Sequence, residues 1–151
     1  MRSLFYKTFF CITLLGFFVA PSFLFADTLS FSPATGSYTS RRTFPVTVFV
    51  SSPSQAINAL SGEISFPPDK LQLVSISKTG SILTLWVQEP TFSNTAGTVS
   101  FAGVVPNPGF TGSVGNILTL NFKVVGQGSA TVKFNAGEVL ANDGNGTNIL
   151  K

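Results

Sequence analysis

Residues 57–76, INALSGEISFPPDKLQLVSI, decide the fold. Leu60, Ile64 and Phe66 alternate with Ser61, Glu63 and Ser65. A two-residue alternation marks a strand with one face on a core and the other in solvent. Pro67 and Pro68 follow, and neither has an N–H to give to a sheet, so pairing stops there. Asp69 and Lys70 complete a corner, and Leu71 and Leu73 open the next strand.

The same pattern extends outward from this block. Val46, Val48 and Val50 share one face of an earlier strand, and Leu118, Leu120, Phe122 and Val124 share one face of a later one. Ala130, Val132 and Phe134 form a third core face, while Thr47, Thr119, Asn121, Lys123, Thr131 and Lys133 suit solvent. Strands are expected over 28–32, 43–51, 57–66, 71–77, 82–88, 98–104, 116–125, 129–135 and 138–141. Gly126-Gln127-Gly128 lies between two alternating runs and reads as a hairpin turn whose glycines supply positive φ. Pro106-Asn107-Pro108-Gly109 reads as a loop. No 3.6-residue apolar period is sustained after residue 26, and Gly, Pro, Ser and Thr punctuate the gaps. The expected fold class is all-β: a two-sheet β-sandwich with jelly-roll topology and about nine strands.

Residues 1–26 read as a secretory signal peptide. Arg2 and Lys7 form a basic start, residues 8–20 are apolar, and Ala26 offers a small residue at the cleavage point before Asp27. Cys11 lies inside the apolar stretch in a context unlike a lipoprotein signal. Residues 27–151 suffice for one domain. Removing Arg2 and Lys7 from nine basic residues leaves seven against six acids, a net charge of +1, so nothing attracts nucleic acid. The only basic pair, Arg41-Arg42, reads as part of a turn. Residues 27–151 contain neither Cys nor His, which removes disulfides, thiolate nucleophiles, imidazole bases and the usual zinc ligands. The expected setting is secreted or cell-surface, with membrane attachment only through an uncleaved signal or a C-terminal anchor on a longer product.

The ordered motifs resemble those of the cohesin family. Phe44-Pro-Val-Thr-Val-Phe-Val50 stands as the early valine strand, and Phe66-Pro67-Pro68-Asp69-Lys70-Leu71 stands where the family usually has Tyr-Asp-Pro-x-x-Leu. Gly97-Thr98-Val99-Ser100-Phe101-Ala102 and Gly115-Asn116-Ile117-Leu118-Thr119-Leu120-Asn121-Phe122-Lys123-Val124 resemble two further family strands. The resemblance implies an exported, non-catalytic jelly-roll module. Its implied partners are a dockerin-like or other surface protein module, or, through related carbohydrate-binding modules, a polysaccharide. Where dockerin-binding cohesins tend to carry Asn and Asp before the corner, this chain has Ala59 and Ser61. A structural bead of a longer envelope protein, with no glycan ligand, is the alternative.

Three groups of residues are candidates for chemistry. Trp86, the only tryptophan, is expected on one strand face with Thr84 and Gln88, opposite Leu83, Leu85 and Val87. An indole there stacks on a sugar, anchors a protein contact, or covers the end of a sheet. Tyr38, Phe92 and Phe110 are further aromatics expected in loops. Asp143 and Asn145 sit in Asn-Asp-Gly-Asn-Gly, which reads either as an ordinary turn or as oxygen ligands for calcium. No other cofactor is expected. Glu63 and Glu89 are the one carboxylate pair worth considering for glycoside hydrolysis, and both read as solvated surface acids. The chain is therefore expected not to be an enzyme.

Overall fold

The computed structural model describes residues 27–151, so the signal peptide expected over 1–26 lies outside the described residues. Seven strands follow in order: β1 (Thr28–Ser32), β2 (Thr43–Ser65), β3 (Leu71–Ser77), β4 (Leu85–Ser93), β5 (Thr98–Val104), β6 (Phe110–Val124) and β7 (Lys133–Ala141). There is no helix among the described residues.

The count is seven rather than about nine because two pairs of expected strands are continuous. Residues 43–51 and 57–66 belong to the single 23-residue strand β2. Between them β2 bends. Ladder pairing with β6 skips from Ser52 to Ile57, so Pro53 falls where no partner needs its N–H. The buried Ser52 hydroxyl donates to Gln55 O at 2.6 Å and closes the bend. At the end of the chain, strands expected over 129–135 and 138–141 merge into β7, with a register shift opposite Glu63 and Ile64.

The bend makes β2 a member of both layers. Its first part pairs with β1 and β6, and β6 pairs onward with β3. Its second part pairs with β5 and β7, and β5 pairs onward with β4. All these ladders are antiparallel. One outer layer is thus β1–β2–β6–β3 and the other β7–β2–β5–β4. Residues 147–150 lie along the free edge of β7, where Ile149 N donates to Val139 O, and Leu150 bridges to Asp27 beside β1. This strap nearly closes the sandwich on one side.

The core fills the space between the layers. Val48, Val50, Ile57 and Ile64 of β2 meet Ile117, Leu118, Leu120 and Phe122 of β6, with Val99 and Phe101 of β5 and Val139 of β7. The edge of Phe66 packs on Phe122, with centroids 5.2 Å apart. Residues 67–70 form the corner: Lys70 N and Leu71 N both donate to Pro67 O.

Gly126-Gln127-Gly128 is not a hairpin between neighbours. β6 and β7 do not pair with each other; the segment crosses from one layer to the other. Val125 N and Gly126 N donate instead to Lys70 O, which ties the crossing to the corner. Ala130, expected in the core, is exposed on this crossing, whereas Val132 and Phe134 do pack against the core.

Candidate docking face

The outer surface of the β7–β2–β5–β4 layer follows from register. On β2, buried Leu60 and Ile64 alternate with outward Ala59, Ser61 and Glu63. On β5, buried Val99 and Phe101 alternate with outward Ser100, Ala102 and Val104. Cross-strand pairing then sets these residues in rows. Leu140, Ala59, Val104 and Leu85 form one row over all four strands. Glu138, Ser61, Ala102 and Gln88 form the next, and Ala136, Glu63, Ser100 and Thr91 the third. The central strands carry only short side chains apart from Glu63 and Val104, so the face is flat. Gly62 pairs with Gly137 beneath a shallow groove of about 370 Å3 between Glu63 and Glu138.

The first row is apolar, with Leu140, Ala59 and Val104 half-buried and Leu85 open. Leu85 is 61% exposed, and its neighbour Val87 is 73% exposed. The expectation that Leu83, Leu85 and Val87 share one face is therefore corrected: of the three only Leu83 is buried. Leu83 precedes β4 and stands outside its alternation, so its inward direction does not carry on to Leu85, which pairs with the outward Val104. Trp86 pairs with Gly103 and Gln88 with Ala102, so Val87 is an extra residue on β4. One inserted residue reverses which side chains face inward.

The same extra residue separates Trp86 from Gln88. Trp86 stands opposite the inward position Gly103 and packs against the core. Lys78 Nζ lies 5.4 Å from the indole centroid and donates to Glu89 Oε2 at 2.6 Å. An ion pair thus sits beside the ring where a sugar would have to stack. Gln88 is on the outer face, where its amide donates to Ser100 Oγ. Thr84 is exposed ahead of β4. The structure does not bring Trp86, Thr84 and Gln88 together on one face. Phe92 and Phe110 lie in β4 and β6 rather than in loops.

The two carboxylates weighed for hydrolysis are also placed. Glu89 is engaged by Lys78, and Glu63 stands in the third row of the docking face.

Asp143 and Asn145 form a turn that is closed on itself. Asp143 Oδ1 accepts from Asn145 N at 2.8 Å, and Asp143 Oδ2 accepts from the Thr147 hydroxyl. The Thr147 hydroxyl, then the Asn145 N–H, hold the Asp143 carboxyl below its ordinary value. Gly144 and Gly146 take φ of 77° and 68°, a region open to glycine. No group of three or more acidic, His or Cys side chains suited to a metal occurs among the described residues. Asn142, before the turn, is a structural tie: its amide donates to Asn107 Oδ1 and Pro108 O, and its Oδ1 accepts from Asn58.

The molecule is a β-sandwich with one flat sheet face of short side chains. A family model for the cohesin domain matches residues 35–151, most of the chain. This chain belongs to the cohesin family. Solved structures agree on the fold. A type I cohesin–dockerin complex from Clostridium thermocellum superposes with a TM-score of 0.64 at 13% identity, covering 83% of this chain and 94% of that one. The sixth cohesin of scaffoldin B from Acetivibrio cellulolyticus, in complex with a Cel5 dockerin, gives 0.63 at 13% identity over 83% and 90%. A cohesin module of a family 33 glycoside hydrolase from Clostridium perfringens gives 0.66 at 8% identity over 83% and 90%. No curated protein sequence matches.

Proposed function

We propose that this chain is an exported, non-catalytic cohesin module that docks a dockerin-type protein module on the outer face of the β7–β2–β5–β4 layer. The observation that carries the reading is the apolar row Leu140–Ala59–Val104–Leu85, with Val87 beside it, on an otherwise flat and small-residue surface. Exposed apolar groups that line up across a sheet cost solubility and are characteristic of contact surfaces. Cohesins solved with dockerins bound, such as those from Clostridium thermocellum and Acetivibrio cellulolyticus, support the class of partner. Ala59 and Ser61, at the centre of the face, shift the expected grip from polar to apolar contact. The leader read over residues 1–26 supports export to the outside of the cell or its surface. A polysaccharide laid on this same face would lack an aromatic platform, because Trp86 turns to the core.

The test is surface plasmon resonance of immobilised residues 27–151 against a panel of recombinant dockerin modules. Leu85→Asp puts a charge in the middle of the apolar contact, and loss of about a hundredfold in affinity is expected. Thr43→Asp, exposed on the opposite layer, leaves binding unchanged. If no dockerin binds, or if Leu85→Asp binds like the parent, the reading fails.

A further inference from the structure

A second cleft lies at the end of the sandwich, away from the docking face. It has a volume of about 670 Å3 and is walled by residues 33–40 and 126–132. That size is within the ~300–1,000 Å3 of small-ligand sites. Phe31, Phe44, Val46 and Leu71 give it an apolar floor. Tyr38 lies over that floor, its ring stacked on Phe44 with centroids 3.7 Å apart and planes 9° apart, and it stays 38% exposed.

The walls carry Thr35, Ser37, Ser40, Gln127, Ser129 and Thr131. None of these side chains hydrogen-bonds within the protein among the described residues. Some polar side chains elsewhere pair across strands: Thr47 with Thr119, Gln88 with Ser100, Asn121 with Ser75, Ser65 with Asn135. In the cleft, hydroxyls and an amide converge on one concave surface with an apolar floor. Its charge is nearly nil. No acid and no arginine lines it, and its one cation, Lys70, is paired with Asp69 at 3.2 Å.

We propose that this cleft binds a neutral glycan segment. Hydroxyl and amide groups both donate and accept, as sugar hydroxyls do. Tyr38 and the apolar floor suit the C–H faces of pyranose rings. A basic ligand would find no opposite charge, an acidic one only Lys70 beside its own Asp69, and a purely aliphatic one would strand the walls without partners. The site is separate from the sheet face, so one module would hold a protein on one surface and a glycan on another.

The test is isothermal titration calorimetry of residues 27–151, which contain the whole core described above, with cellohexaose, xylohexaose, maltohexaose and, as a charged control, hexagalacturonic acid. Saturable binding of a neutral hexasaccharide is expected, with a dissociation constant of about 1 mM or below. Tyr38→Ala should weaken it about tenfold. Gln127→Ala, on an exposed loop clear of the core, should also weaken it and guards against a folding defect in the first variant. Leu85→Asp should bind the sugar as the parent does. Retention of the protein on the matching insoluble polymer would make the ligand a polysaccharide chain; binding of the free hexasaccharide alone would make it a soluble oligosaccharide, and either supports the site. Absence of saturable binding to all three neutral sugars, tighter binding of the charged control, or binding indifferent to both Tyr38→Ala and Gln127→Ala overturns it.

Discussion

On the outer face of the β1–β2–β6–β3 layer, Thr47 meets Thr119 at 3.1 Å and Asn121 reaches Ser75 at 3.0 Å. On the outer face of the other layer, Gln88 and Thr91 are tied in the same way to Ser100, but the first row is Leu140, Ala59, Val104 and Leu85. The two faces share strand β2, which bends at residues 52–56 and passes from one to the other. The first face carries cross-strand polar pairs, with Val74 of β3 and Val114 of β6 exposed on the same layer. The second sets Leu140, Ala59, Val104 and Leu85 side by side across its four strands. A single strand thus serves two walls, and what distinguishes its two parts is the outward residues, Thr47 on one and Ala59 and Ser61 on the other, rather than the buried ones.

The largest effects should strike both faces together, because both rest on the same core. Phe122→Ala removes a fully buried ring that touches Phe44 and Phe66. A loss of about 3–5 kcal/mol is expected, read as a lower urea midpoint. A loss under about 1 kcal/mol would mean that the layers are less interlocked than the packing indicates. Gly62→Ala works from beneath the docking face alone. Its Cβ would stand 2.6 Å from Phe101 Cζ, and Phe101 is itself buried. Overpacking of this kind costs about 1–3 kcal/mol, and the heavier toll should fall on hydrogen-exchange protection in β5 and β7 rather than in β3.

A sharper comparison asks whether the docking face chooses its partner by Ala59 and Ser61. The double variant Ala59→Asn, Ser61→Asp places polar side chains where dockerin-binding cohesins tend to have them. Both positions face outward, so stability should move by no more than about 0.5 kcal/mol. The rank order of dockerins bound should change. An unchanged ranking would put the selecting contacts elsewhere, at Leu85, Val87 or Leu140.

How much of this was legible beforehand depends on where the chain keeps strict time. The valines of β2 and the alternation of β5 and β6 state their faces directly, since each residue has its partner across the ladder. β4 does not. Val87 is inserted at one point and Glu89-Pro90 at another, and each interruption resets which side faces in. Leu83 lies before β4 begins, so its buried side does not carry on to Leu85 and Val87, the most exposed members of the candidate contact, and Val87 breaks the alternation expected to set Trp86 beside Gln88. The available signals were Pro90, which breaks a ladder, and Gly103, which leaves an inward place empty beside the indole. The misread hairpin at residues 126–128 has another cause. Two alternating runs joined by glycines describe a turn, but only long-range pairing decides that β6 and β7 join different layers.

The smallest expected effect concerns the turn that tied up the calcium candidates. Asp143 is fully exposed, yet both of its carboxylate oxygens accept hydrogen bonds, from the Asn145 N–H and the Thr147 hydroxyl. These bonds favour the charged form and hold the carboxyl below its ordinary 3.8. A group whose folded value is lowered lends its full stabilisation above the unfolded value and loses it as pH falls through the folded one. Asp143→Asn should therefore flatten the acid limb of a plot of Tm against pH, below about pH 4, while leaving the neutral limb nearly parallel to that of the parent. Thr147→Val, which removes the larger of the two causes, should flatten it partly. Added calcium should leave Tm unmoved if the carboxylate is committed to the turn; a calcium-dependent rise abolished by Asp143→Asn would show that the turn opens to hold the ion instead.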